Sequence, residues 1–203
     1  MAGRLSGTIP ATACCRRVTK ALNRAILLGT ILLAAAPAHA GELFGGVYVH
    51  DVRLPTDESG LENGLDLQLG LRGGALTKVL GAQLQPYVFG ALNTAGQTSY
   101  AAAGLSLRFP LGKALFIRPG VGLAIHNGSA GHFFRTDKIA FGSRVLFEPE
   151  LGIGTQINDR LSIEASWVHM SHASCAQRPH PQRMHDLRAF ISVNTSDAET
   201  YTR

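Results

Sequence analysis

Acidic side chains are missing from the first forty residues. That stretch carries Arg4, Arg16, Arg17, Lys20 and Arg24 and no Asp or Glu. The whole chain has 203 residues, 19 Lys+Arg against 14 Asp+Glu, and a formal charge of +5. Without the five N-terminal basic residues, fourteen of each sign remain and the formal charge is zero. The basicity therefore gives no ground for a nucleic-acid partner. Cysteine is equally scarce. Cys14 and Cys15 lie in the basic segment, and Cys175 is alone beyond it, so a disulfide framework is excluded. Charged residues make up only 16% and hydrophobic residues 45%, which excludes a solvated disordered chain. There is no glycine-rich nucleotide loop. Helical periodicity is also absent, and no apolar run approaches the ~20 residues of a membrane-spanning helix.

What the N-terminus does contain is an export signal. Arg24 is followed by the apolar run Ala25 to Ala36, then Pro37-Ala-His-Ala40 and Gly41. A basic flank, a short apolar region and an Ala-x-Ala site predict cleavage after Ala40. The division expected is a signal peptide over 1–40 and one working domain over 41–203, placed beyond the inner membrane.

That domain alternates at period two. Leu65, Leu67, Leu69 and Leu71 alternate with Asp66, Gln68, Gly70 and Arg72. Similar alternation runs through Ala101–Phe109, Ile117–His126, Arg144–Ile153, Leu161–Trp167 and Leu187–Asn194, and more loosely through 84–92. With Leu43–Arg53 this predicts eight strands, joined by long loops near 54–61, 93–98, 127–139 and 173–185. Shorter turns are expected at 110–113 and 156–159; the connection at 73–82 is unusually long for that end. Two all-β architectures fit. A soluble sandwich keeps the apolar face inside. An eight-stranded antiparallel transmembrane β-barrel of the outer membrane turns it to lipid and the polar face to the lumen. Most of the strands reach the ~9–11 residues that a tilted span requires, against ~5–6 in globular sheets. Asp66, Arg72, Arg108, Arg118, Arg144, Glu148, Glu150 and Glu164 become the lumen candidates, interleaved with glycine. Aromatics are only 7% of the chain, few for the interfacial girdles of such a barrel.

On the seventh strand, the odd positions run Leu161, Ile163, Ala165, Trp167, His169, Ser171. Alternation places His169 and Ser171 on the apolar, outward face at its outer end. Residues two apart on a strand lie about 6.6–6.8 Å apart, within reach of side chains that lean together. A histidine that takes the serine proton makes the hydroxyl an acyl-transfer nucleophile, and it needs an acid on its other nitrogen. Polar groups on a lipid-facing surface are costly, so their presence points to a membrane lipid as substrate.

Trp167-Val-His-Met-Ser-His-Ala173 on this strand resembles the lipid A 3-O-deacylase (PagL-like, acyloxyacyl hydrolase) family. The resemblance extends to Gly45–Asp51, Leu92–Thr98, Ala124–Gly128 and Gly142–Gly152. It implies an eight-stranded outer-membrane barrel that removes an ester-linked acyl chain from lipopolysaccharide in the outer leaflet. By that resemblance Ser171 is the nucleophile and His169 the general base. His172 stands where many members carry an oxyanion-supporting Asn, and an imidazole N–H can donate in the same way. Asp186, just before the last strand, is the carboxylate nearest to the family's acid. The family's loop glycine is absent from Arg178-Pro-His-Pro-Gln-Arg-Met-His-Asp186. Trp167 and Arg178 are the expected substrate contacts. Arg178, Arg183 and Arg188 carry charges suited to lipid phosphates. No cofactor is called for. His172, His180 and His185 near Cys175 have no recognised metal-ligand spacing, so no metal is called for either. Expected partners are lipid A and outer-membrane lipid, with no nucleic acid, and a homodimer is allowed. The rival readings are a non-catalytic member of the same family, structural or lipid-binding, and a soluble β-sandwich.

Overall fold

The computed structural model describes residues 41–52, 62–129, 139, 141–171 and 184–194, without the side chains of 184–189 and 194. The expected signal peptide lies outside the described residues, as do His172, Cys175, Arg178 and most of the long loops.

Nine strands form one antiparallel sheet: β1 (Glu42–Val49), β2 (Leu65–Arg72), β3 (Thr77–Val79), β4 (Ala82–Asn93), β5 (Tyr100–Leu111), β6 (Leu115–His126), β7 (Val145–Gln156), β8 (Leu161–Met170) and β9 (Met184–Asn194). Their order is β2-β1-β9-β8-β7-β6-β5-β4-β3, and β2 also pairs with β4. That pairing, from Asp66↔Asn93 to Arg72↔Tyr87, closes the sheet into an eight-stranded barrel. β3 adds a ninth, three-residue strand outside the closed wall.

β3 also accounts for the long connection at 73–82. The beginning of β4 stays paired with β5 but runs past the end of its pairing with β2, and β3 folds back on it there, Thr77↔Leu84 to Val79↔Ala82. Leu80 (φ 51°) and Gly81 (φ 82°) make the turn. Two positive φ values are the signature of the tight hairpin turn whose twist suits the strands. The other connections at this end span only 112–114 and 157–160, and the long loops gather at the opposite end. Such asymmetry is usual for outer-membrane barrels, with the long loops outside the cell.

The packing is inside out relative to a soluble protein, which removes the sandwich. Leu65, Leu67, Leu69 and Leu71 are 48–65% exposed on the outer wall, while Asp66, Gln68 and Arg72 between them are buried. Val121, Ile125, Leu151, Ile153, Ile163 and Ile191 repeat the pattern on β6–β9. The aromatics explain the thin girdles: Phe44, Tyr48, Tyr87, Phe89, Tyr100, Phe116 and Phe190 all point inward. They pack on one another, Phe44 against Phe190 at 5.5 Å and Phe89 against Tyr100 at 5.9 Å between centroids. Glycine makes room for them. A Cβ at Gly154 would collide with the Phe116 ring, and one at Gly122 with the Tyr87 hydroxyl.

Charge fills the short-turn half of the lumen. Arg118 Nε donates to Glu164 at 3.1 Å and Nη1 to Gln85 at 2.6 Å. Arg72 donates to Glu42 at 3.1 Å and lies 4.2 Å over the Phe44 ring. Arg108 reaches Gln156 and covers Phe116. Ions so deep are retained only when they are paired and hydrogen-bonded.

Candidate active site

Side chains alternate across β8 as the pleat requires. Ser162, Glu164, Ser166, Val168 and Met170 are buried in the lumen, and Ile163, Ala165 and Trp167 are exposed. His169 and Ser171 continue the outward row, both half-buried. Among the described strand residues this placement is exceptional. On the eight strands of the closed wall, the described outward side chains are aliphatic, aromatic, proline or glycine, apart from Thr155 near the short-turn end and His169.

Local structure fixes both residues. The Ser171 N–H donates to the Phe147 carbonyl at 3.1 Å, and the Phe147 N–H returns a bond of 2.8 Å. Ser171 is thus pinned beyond the end of β8 by the neighbouring strand. The Trp167 ring stacks on that of His169, centroids 6.0 Å apart and planes 23° off parallel. Trp167 was expected to contact substrate; it also limits how the imidazole can turn. Leu151 pairs with Trp167, and Phe147 is 44% exposed beside Ser171, so apolar surface surrounds the pair.

β9 pairs with β8 as Val168↔Asp186, His169↔His185 and Met170↔Met184. The register position opposite His169 therefore belongs to His185, with Asp186 one step along the strand.

A second polar cluster closes the long-loop end of the lumen. His50 Nδ1 lies 2.7 Å from Asp66 Oδ2, and Nε2 lies 2.8 Å from Glu62 Oε2. Glu62, only 1% exposed, also accepts from Thr98 N and Oγ1 and from Ile139 N at 2.7–2.9 Å. Asn93 Nδ2 donates to the second Asp66 oxygen at 2.8 Å. Burial pushes the Glu62 carboxyl up, but the bonds from His50, Ile139 and Thr98 outweigh it and hold it below its ordinary value. Three outer loops and the end of β1 meet at this one carboxylate. Sequence reasoning passed over it, because a single loop Glu has no periodicity to reveal it.

One lumen expectation needs correction. Arg144 was placed inside with Glu148 and Glu150. It is exposed instead, because the bend at 142–144, with Gly142 at φ 70°, breaks the alternation before β7 begins. Glu148 accepts from the Tyr87 hydroxyl. Among the described residues no group of His, Cys, Asp and Glu is arranged to hold a metal.

The model of the family described as lipid A 3-O-deacylase (PagL) matches residues 48–188. The barrel is similar to the crystal structure of the outer membrane enzyme PagL, with TM-score 0.51 and 18% identity, covering 76% of this chain and 98% of that one. It is also similar to the Yersinia pestis outer membrane protein Ail in a phospholipid nanodisc, with TM-score 0.46, 10% identity and 77% and 99% of the two chains covered. A de novo designed transmembrane β-barrel aligns with TM-score 0.49, 10% identity and 78% and 98% coverage. No curated relative matches by sequence. With the family model spanning most of the chain over a closed antiparallel barrel, this protein is a member of the lipid A 3-O-deacylase (PagL) family of outer-membrane barrels.

Proposed function

We propose that this chain, exported by a signal peptide cleaved after Ala40, hydrolyses the ester-linked 3-position acyl chain of lipid A in the outer leaflet. Ser171 is the nucleophile and His169 the general base. The observation that carries the reading is the outward placement of both residues at the long-loop end of β8, on a wall whose other described side chains are apolar except Thr155 at the opposite end. A substrate whose chains lie in the membrane meets that wall directly, with its ester near the outer interface.

His169 takes the Ser171 proton as Oγ attacks the ester carbonyl. The tetrahedral intermediate collapses, the carbon–oxygen bond to the sugar breaks, and the imidazolium returns its proton to the sugar hydroxyl. Water then attacks the acyl-enzyme with His169 again as base, and a free fatty acid and the serine hydroxyl are released. Trp167 stacks on the imidazole, and its π-face favours the transient imidazolium. His172 is assigned to the oxyanion and Arg178 to substrate, both on the resemblance. Asp186 is assigned to orient His169, and the one-step offset in register makes it the member to test first.

The test is the mass spectrum of lipid A from a heterologous host. Wild-type protein is expected to remove one 3-hydroxy fatty acid, and Ser171→Ala or His169→Ala to abolish the loss while the barrel still folds. Unchanged lipid A with folded wild-type protein overturns the reading in favour of a non-catalytic barrel. An unchanged rate in Asp186→Asn removes Asp186 from the triad and leaves the Ser–His pair standing.

A further inference from the structure

Arg144 is the exposed charged residue of the long-loop rim among the described residues. The other charged groups there, Asp51, Glu62 and Asp66, are buried. The exposed cations Lys78, Lys113 and Arg160 lie at the opposite end, in or beside the short turns. Arg144 immediately precedes β7, the strand next to the His169–Ser171 row. Phe147 and Ser171 exchange both backbone bonds, which sets them level. Arg144 is three residues outward from Phe147, about 10 Å along the strand and one strand spacing, about 5 Å, to the side.

The segment carrying it is tethered repeatedly. Ile139 N donates to Glu62 and Phe141 N to Ser129 O, at 2.7 and 3.1 Å. The Ser143 carbonyl lies 2.7 Å from His126 Nε2, and the Phe141 ring packs edge-on to His126 at 4.5 Å. Ser143 Oγ donates to Val145 O at 2.8 Å. Ile139 and Phe141 are fully buried, yet Arg144 on the same short segment is exposed. A long cation held on a fixed backbone, just outward of a lipid-facing Ser–His pair, stands at headgroup height.

We propose that Arg144 binds a phosphate monoester on the glycolipid's sugar and thereby seats the ester of that sugar against Ser171. This rests on the deacylase reading given above. A guanidinium pairs with phosphate oxygens through two parallel N–H bonds, which fixes orientation as well as adding affinity. Placed outward of the cleavage point, it selects lipids with phosphate on the sugar and ester just beneath. Phospholipids such as phosphatidylglycerol, whose phosphate is a diester on glycerol, lack that arrangement.

Binding is measured with Ser171→Ala protein in detergent micelles, where turnover cannot obscure it. The probes are lipid A, its dephosphorylated form and phosphatidylglycerol. Lipid A is expected to bind about tenfold more tightly than the dephosphorylated form. Adding Arg144→Ala is expected to erase that preference and leave the dephosphorylated form unaffected; Arg144→Lys retains part of it. With Ser171 intact, Arg144→Ala raises KM for lipid A and leaves kcat unchanged, the mark of lost uniform binding. Equal losses on both forms of lipid A, or no loss, overturn the assignment. So does phosphatidylglycerol binding as tightly and losing as much in Arg144→Ala, which is the behaviour of a general anionic-surface contact. If intact protein releases no fatty acid from either lipid while the phosphate preference persists in Ser171→Ala, the deacylase reading fails and the phosphate site stands.

Discussion

Leu69→Arg separates a wall that faces lipid from one that faces water. Leu69 lies near the middle of β2 and is 65% exposed. Its lateral partners are Gly45 on β1 and Gly90 on β4, so neither neighbouring strand shields it with a side chain. Whatever surrounds the barrel therefore decides the cost. Against hydrocarbon, an arginine at mid-depth costs about 2–4 kcal/mol, roughly a 30- to 1000-fold shift in the folding equilibrium. Against water, an exposed substitution stays within about 0.5 kcal/mol. Depth supplies the control. Leu115, 52% exposed, opens β6 at the short-turn rim, where the same change costs about 0–1 kcal/mol. The assay is urea unfolding in lipid vesicles, followed by the fluorescence of Trp167, the chain's single tryptophan. A Leu69→Arg protein as stable as wild type, or a Leu115→Arg protein destabilised as much as Leu69→Arg, refutes the argument.

The same titration reads the lumen. Arg118→Ala strands Glu164 without its closest cation and is expected to cost about 3–5 kcal/mol, the penalty of breaking a buried ion pair. A loss below about 1 kcal/mol would mean that Arg72, 3.7 Å from Glu164, is sufficient alone. Leu80→Asn is expected to stabilise by about 1 kcal/mol, because Leu80 holds φ 51° while 93% exposed and Asn tolerates that conformation better. Loss of stability there would show that Leu80 is held by a contact rather than tolerated. The Glu62 carboxyl titrates below its ordinary value of 4.5, so its bonds contribute fully above that pH and are lost as pH falls through the lowered value. Protection of the Thr98 and Ile139 amides, taken relative to intrinsic exchange at each pH, is expected to fall as pH drops below the ordinary carboxylate value of 4.5 and through the lowered one. Glu62→Gln should abolish that change in protection, and protection that stays constant with pH in wild type would contradict it.

How much of this was legible in the sequence depended on what period two can encode. The alternation from Leu161 to Ser171 placed His169 and Ser171 on the outward face, and the β2 leucines on the wall. Both follow from a pleat that nothing interrupts. Arg144 failed for the converse reason: the bend at 142–144 resets the parity, and counting back from Val145 gave the wrong face. The β3 hairpin was illegible because a three-residue strand has no period. Its turn also uses a leucine where a turn residue would announce it. Glu62 was hidden by distance. Its partners lie 12, 36 and 77 residues away, and only closure of the barrel brings them together. The family resemblance on β8 said which chemistry to look for. It could not place Asp186, whose distance from His169 depends on a register that one slipped residue would reverse.

The filled lumen bears on where chemistry can occur. Arg72, Arg118, Phe44, Phe116, Tyr48 and Tyr87 are all almost completely buried inside a barrel of eight strands. Among the described residues, an interior so narrow is filled largely by side chains. At the long-loop end, the Glu62 cluster ties His50, Thr98 and Ile139 together. A reaction on a membrane lipid is then expected on the outer wall, where polar groups are costly. His169 and Ser171 are the residues of β8 and its extension that accept that cost. The lumen contributes indirectly. Its ion pairs and aromatic contacts hold the wall in register, and that register sets Ser171 opposite Phe147 and His169 beside Trp167. A residue such as Arg118 should thus influence catalysis only through the stability of the barrel. Rates per folded molecule in Arg118→Ala should stay at the wild-type level even as the folded fraction falls.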